Sequence, residues 1–212
     1  MLFRSWLAAD DPDEGERVTI ESIGRWSHTG FHRQHYSAIL ARIQTALYRG
    51  DAALAWHLLE DLDRILRHSY LRRVQVLRIE SEYLHGRGGL AMAAKYGLRR
   101  RFRSAARTAS RQIASERMPW SDPIALLLEA GLAHLEGNAP LALRHLHDAA
   151  ARFDSADMKL YLAVTRRRIG ALQDDAAGRA LKGEADEWMA AQDIKNPAAM
   201  TRTLAPGFPD PS

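Results

Sequence analysis

The chain of 212 residues contains no cysteine, which excludes disulfides, cysteine metal sites and cysteine nucleophiles. No apolar run approaches the ~20 residues that a membrane-spanning helix needs. The first sixteen residues turn acidic at Asp10-Asp11 and lack the apolar stretch of a secretory signal. Aromatic residues make up 8% and prolines number eight, four of them after residue 196. The net charge of +4 is mild, so any basic partner surface must come from where the charge sits. What remains is an ordinary globular composition, 46% hydrophobic and 26% charged, long enough for one large domain or one repeat array. A cytoplasmic location is expected.

Catalytic signatures are missing as well. There is no Gly-Lys-Ser/Thr phosphate loop, no Gly-x-Ser-x-Gly elbow, no His-Glu-x-x-His motif, and neither His-Arg-Asp nor Asp-Phe-Gly. His145, His147 and Asp148 are too closely spaced on a helix to converge on one ion. His28, His32 and His35 have helical spacing but no carboxylate to join them, so packing or capping roles are expected. No catalytic residue, cofactor or metal ligand is assigned.

The apolar periodicity is helical. Residues 1–30 lack a clear period and are expected to be an irregular segment or linker. From His32 onward, Ile39, Leu40, Ile43, Ala46 and Leu47 share a face, Gly50 ends the helix, and Asp51 caps the next, which carries Leu54, Leu58, Leu59, Leu62, Ile65 and Leu66. Val74 to Leu84 lead to an expected break at Gly86-Arg87-Gly88-Gly89. A long helix is expected over 90–117 with Gly97 as a weak point, followed by a stop and restart across Pro119 and Pro123. Helices over 124–136 and 139–152 flank Gly137-Asn138. Ser155 is read as the cap of a helix to Ile169, Gly170 as a turn, and Asp174 or Asp175 as the cap of 176–191. The C-terminal tail is 192–212, and from Asn196, with Pro197, Pro206, Pro209 and Pro211, it is expected to be irregular.

Turns at Gly50, Gly86, Gly137 and Gly170 would recur at 36, 51 and 33 residues, two of them near the tetratricopeptide period of roughly 34. Gly131 should let the partner helix approach closely, with Ala142 and Ala149 answering from the second helix of that hairpin. The pattern therefore predicts an all-α fold of stacked antiparallel helical hairpins over 31–191, a degenerate tetratricopeptide-like superhelix, with a non-repeating bundle as the alternative.

One feature could grip a partner. Around 95–117 the chain carries Lys95, Arg99, Arg100, Arg101, Arg103, Arg107, Arg111 and Arg117 against one acid, Glu116. Leu98, Phe102, Ala105, Ala109 and Ile113 share a face, and Arg99, Arg100, Arg103, Arg107 and Arg111 form a basic stripe opposite. The stripe suits nucleic-acid phosphates, an acidic protein surface or an anionic membrane, or it is simply a solvated face. No aromatic residues interleave as single-stranded nucleic acid would favour.

Two blocks carry a family resemblance. The first is Trp26-Ser27-His28-Thr29-Gly30-Phe31-His32-Arg33-Gln34-His35-Tyr36, with Leu47 to Asp51 and Ala55-Trp56. The second is Glu184, Trp188, Met189, Gln192, Ile194, Asn196 and Pro197, with Leu204, Pro206, Gly207 and Phe208. Together they resemble the C-terminal, tetratricopeptide-like regions of large bacterial serine/threonine protein kinases, over most of the chain from residue 24. The resemblance implies a non-catalytic module that holds a protein or peptide partner for a signalling enzyme. No kinase motif is present to carry over. The start at Met1 fits a fragment of a longer kinase or a stand-alone homologue, and the fragment is favoured. The alternative function is a nucleic-acid-associated helical-repeat protein, such as the sensor part of a transcription regulator, using the helix 95–117.

Overall fold

A computed structural model describes residues 3–26, 30–67, 69–173 and 175–208. Eleven α-helices hold most of the described residues: α1 (Phe3–Ala8), α2 (Pro12–Gly24), α3 (Arg33–Tyr48), α4 (Ala52–Leu66), α5 (Gln75–Tyr96), α6 (Arg100–Ser115), α7 (Asp122–Leu135), α8 (Ala139–Ser155), α9 (Lys159–Gln173), α10 (Ala176–Ala191) and α11 (Pro197–Leu204). A single 3₁₀ turn (Tyr70–Arg73) lies between α4 and α5, and there is no strand among the described residues. None of these helices is long and apolar enough to cross a membrane.

Helices α1 to α10 pack chiefly on their neighbours in the chain, as α3 on α4, α5 on α6, α7 on α8 and α9 on α10, whereas α11 packs on α3 and α9. Odd-numbered helices also meet one another, α1 with α3, α3 with α5 and α5 with α7. The turns repeat a local chemistry. After α3, Gly50 takes φ +76°, and the Asp51 carboxylate accepts from Leu54 N–H at 3.0 Å. After α7, Gly137 takes φ +81°, and the Asn138 side chain accepts from Leu141 N–H at 3.1 Å. A left-handed glycine followed by an Asx cap closes one helix and opens the next within two residues.

Four local expectations change. Residues 3–24, expected to be irregular, form α1 and α2. Asp11 caps α2 through Glu14 N–H, and Pro12 fits the first helical turn, a start signal that needs no apolar period. The glycines at 86, 88 and 89 do not break the chain; they lie buried inside α5. The break falls instead at Gly97, at φ +88°, so the expected helix over 90–117 divides between α5 and α6. Gly170 sits within α9 rather than at a turn, because its bare Cα admits α10, where a Cβ would strike Gly178 O. Ser155 ends α8, its hydroxyl donating back to Ala151 O, and α9 begins only at Lys159. Asp175 caps α10 through Gly178 N–H at 2.7 Å, and Asp174 lies outside the described residues.

Helix α5 shows why glycine can outlast its propensity. A Cβ at Gly86 would meet Leu128 of α7, one at Gly88 would meet Leu59 of α4, and one at Gly89 would lie 2.8 Å from the Phe102 carbonyl of α6. Each glycine costs roughly 1 kcal/mol of helix propensity, but together they seat three neighbours against one helix. Gly131 works in a different place from the one expected. A Cβ there would stand 2.8 Å from the Pro206 carbonyl and 2.9 Å from Leu90, so it receives α5 and the C-terminal segment, while Ala142 and Ala149 are fully buried on α8.

The irregularity expected from Asn196 gives way to α11 and a largely buried segment through residue 208. Asn196 caps α11 through Ala199 N–H at 3.0 Å, and Ala199, Met200, Thr201, Thr203 and Leu204 are buried, as is Phe208 beyond them. Pro209 and Pro211 lie outside the described residues.

Gly89→Ala should lower stability by about 1–3 kcal/mol, because the carbonyl it meets belongs to backbone and cannot rotate away. Gly183→Ala, in α10 with nothing within 4 Å, should raise it by about 1 kcal/mol. Denaturant unfolding of the two variants checks both signs.

Candidate partner-binding surfaces

The interior, where the odd-numbered helices meet, is taken up by residues 195–208. Lys195 N–H donates to Ala8 O at the end of α1, and the Asn196 side chain reaches Asp10. From α11, Arg202 Nη2 donates to Tyr48 O at 2.7 Å, closing on the end of α3. From α5, Tyr83 donates its hydroxyl to Leu204 O and Arg87 Nη1 donates to Thr203 O at 2.9 Å. From α9, Arg168 Nε donates to Ala205 O at 3.0 Å. From α7, His134 stacks on Phe208 with ring centroids 5.1 Å apart. All five odd-numbered helices from α1 to α9 thus hold this one segment, mostly through its backbone.

Two of these donors are buried guanidiniums. Arg87 is 2% exposed and Arg168 1% exposed. Burying a cation is costly unless its field is met. Here carbonyl oxygens meet it, together with aromatic faces: Arg87 lies 4.3 Å from the Tyr83 ring centre and Arg168 lies 5.1 Å from that of Phe208. Burial, aided by the nearby Arg168 charge, holds the His134 imidazole below its ordinary pKa, so the ring stacked on Phe208 is neutral near pH 7.

A cleft of about 530 Å³ opens where the C-terminal ends of α3, α5 and α7 meet the chain's end. It is lined by Arg49, Lys95, His134 and Arg202 among apolar residues such as Leu47 and Phe208. Its basic groups are largely engaged, Arg49 by Asp13 and Glu16 and Arg202 by the Tyr48 carbonyl. Cations at helix C-termini satisfy terminal carbonyls and the helix dipole, which accounts for this lining without a ligand.

The arginine stripe is placed as expected on α6 and its cap. Phe102, Ala106, Ala109 and Ile113 face the core, and Arg99, Arg100, Arg103 and Arg111 are exposed. It is only partly free. Arg103 and Arg107 share Glu136 at 2.8 and 2.9 Å, and Arg101 pairs with Glu60 at 3.3 Å. Glu116, the one acid of the segment, is bound by Arg78 of α5 instead. Among the described residues Arg99, Arg100 and Arg111 form no ion pair, so the surplus positive charge rests on them.

Tertiary structure also brings a second aromatic ring to α6, whose own Phe102 is buried. Trp56 of α4 meets Phe102 edge-on at 5.2 Å, with Arg101 5.2 Å from its ring centre. Of the N-terminal histidines, His32 and His35 act together as a capping box at the start of α3, in line with the expected capping role. His32 N–H donates to His35 Nδ1 at the start of α3, His28 lies outside the described residues, and no group of three His, Asp or Glu among the described residues is placed to hold a metal ion.

No protein-family model, curated protein or solved structure matches this chain.

Because His134 titrates below its unfolded value, the folded state resists its protonation. Its contribution to stability is complete above about pH 6.5 and is lost as pH falls below that toward its depressed folded value. Between pH 7 and 5 the wild type should therefore lose stability more steeply than His134→Gln, as urea unfolding at a series of pH values would show.

Proposed function

We propose that this chain is a non-catalytic, regulatory helical-repeat module that docks a protein or peptide partner. Its hairpins would stack as a degenerate tetratricopeptide-like superhelix with α1, α3, α5, α7 and α9 lining the inner face. The resemblance of its two sequence blocks supports a place in the C-terminal part of a bacterial serine/threonine protein kinase.

The observation that carries the docking site is the surplus of exposed arginine on α6. Stacked hairpins commonly receive peptides on their inner face. In this chain residues 195–208 already lie there, with Thr201 and Thr203 as inaccessible as core leucines. A partner then meets the outside, where Arg99, Arg100 and Arg111, flanked by Arg103 and Arg107, present uncompensated positive charge. The complementary partner is an acidic protein surface or acidic peptide, for which arginine forks give paired, charge-assisted hydrogen bonds.

A second reading is favoured by the same charge together with Trp56 beside Arg101: a phosphate-bearing nucleic acid whose base stacks at that edge. The two readings separate on salt. Phosphate contacts lose affinity steeply as salt rises, whereas a well-packed protein interface retains much of it.

The test is affinity capture from a bacterial lysate at low and at high salt, using the wild type and the triple variant Arg99→Glu, Arg100→Glu, Arg111→Glu. The variant should fold as the wild type does, since none of the three makes an ion pair, and surface changes of this kind usually cost under about 0.5 kcal/mol each. The expected result is a protein partner retained at high salt by the wild type and lost by the variant. Nucleic acid recovered only at low salt would move the function to the second reading. Transfer of phosphate from ATP by the purified chain would overturn the non-catalytic reading altogether.

A further inference from the structure

A carboxylate of this chain already sits on the arginine stripe. Arg103 Nε lies 2.8 Å and Arg107 Nη2 lies 2.9 Å from the same oxygen, Oε1 of Glu136, at the turn between α7 and α8. Residues four apart on a helix lie one above the other, about 6 Å apart along the axis, and one carboxylate fits between two such guanidiniums. The same interval separates Arg99 from Arg103 and Arg107 from Arg111. Arg103 N–H donates to Arg99 O at 3.1 Å, so the helical register reaches Arg99. Two further pairs of this spacing therefore flank the one that Glu136 fills, and their outer members, Arg99 and Arg111, form no ion pair among the described residues.

The positive charge is greatest where the helix absorbs it least. Arg99, Arg100 and Arg101 open α6, whose first turn holds no acid, and the positive end of the helix dipole adds to their field. Glu60 answers Arg101 from α4. The hold of Glu136 is itself weak. The side chains of Arg103, Arg107 and Glu136 are between 27% and 48% exposed, and ion pairs this open to water contribute little, so an incoming carboxylate exchanges with Glu136 at low cost.

We propose that Glu136 is a resident stand-in for the carboxylates of the partner, and that the partner is a run of acidic residues that displaces it and spans the stripe from Arg99 to Arg111. The proposal rests on the reading of α6 as a docking surface for an acidic protein, and adds the residue that restrains docking. The twelve-residue interval from Arg99 to Arg111 rises about 18 Å, a length that an extended peptide covers in about six residues. Alternate side chains of such a peptide share a face and repeat at about 6.6 Å, close to the one-turn interval of the arginines. Three carboxylates on one face then meet the three pairs in turn. A lone carboxylate gains little over Glu136, whereas a run also gains the two outer pairs, so Glu136 makes the surface selective for runs.

The test measures binding of fluorescein-labelled octaglutamate to the full chain by anisotropy at low salt, with octaglutamine and an eight-nucleotide oligothymidylate for comparison. The wild type should bind octaglutamate and not octaglutamine. Glu136→Gln keeps the size of the side chain, releases both arginines and should bind octaglutamate about two- to fivefold more tightly, at a melting temperature close to that of the wild type. Glu187→Gln removes the same charge from an exposed position on α10, which packs on α9, and should leave the affinity unchanged. When Arg103 and Arg107 are both replaced by Gln, Glu136→Gln should have no further effect. An unchanged affinity in Glu136→Gln, or an equal gain in Glu187→Gln, would overturn the stand-in role and leave the docking reading in place. No binding of octaglutamate by either the wild type or Glu136→Gln would overturn both. Tighter binding of oligothymidylate than of octaglutamate would overturn the choice of a carboxylate partner.

Discussion

The structure depends on the capture of three successive backbone carbonyls, those of Thr203, Leu204 and Ala205, by Arg87, Tyr83 and Arg168. Helices α1, α3, α5, α7 and α9 meet one C-terminal segment and bring to it apolar surface and helix ends that must be covered. The C-terminal segment covers them, but only if its own backbone polar groups find partners away from water. Guanidinium and phenol groups on α5 and α9 supply those partners at long reach. This accounts for two arginines in the core: without the segment they would lose the carbonyls that meet their charge.

Helix α5 is the pivot of this arrangement. It contributes Tyr83 and Arg87 to the capture, and its glycines at 86, 88 and 89 bring α7, α4 and α6 close. The two roles belong together. The same stretch that admits neighbouring helices at short distance buries Arg87 deeply enough for its hydrogen bond to a neutral carbonyl to count. Gly131 and Gly207 complete the fit on the α7 side, where the segment's backbone passes close to that of α7.

An imbalance of positive charge lies on α6, away from the C-terminal segment. There Glu60 and Glu136 compensate some of the arginines, and Arg99, Arg100 and Arg111 form no ion pair among the described residues. A half-open cleft beside Gln44 lies where the returning segment meets α1, α3 and α9, a junction of parts distant in the chain.

The sequence by itself determined what rests on local chemistry. The period of Leu58, Leu59, Leu62 and Leu66, the Gly50-Asp51 and Gly137-Asn138 turns, and the opposite faces of α6 were all legible, because propensity, capping and amphipathicity act within a few residues. The arginine stripe was legible for the same reason, although its partial neutralisation by acids from other helices was not. Tertiary structure alone decided whether a glycine is a turn or a packing surface. Gly97 and the triplet in α5 look alike in sequence, and only the neighbours Leu59, Phe102 and Leu128 make the triplet helical. It alone placed a proline-rich tail in the core, since the donors that satisfy residues 203–205 lie from 37 to 121 positions away along the chain. The cavity lined by Gln44 belongs to the same class of fact, for it exists only once α1, α3, α9 and α11 have been brought together.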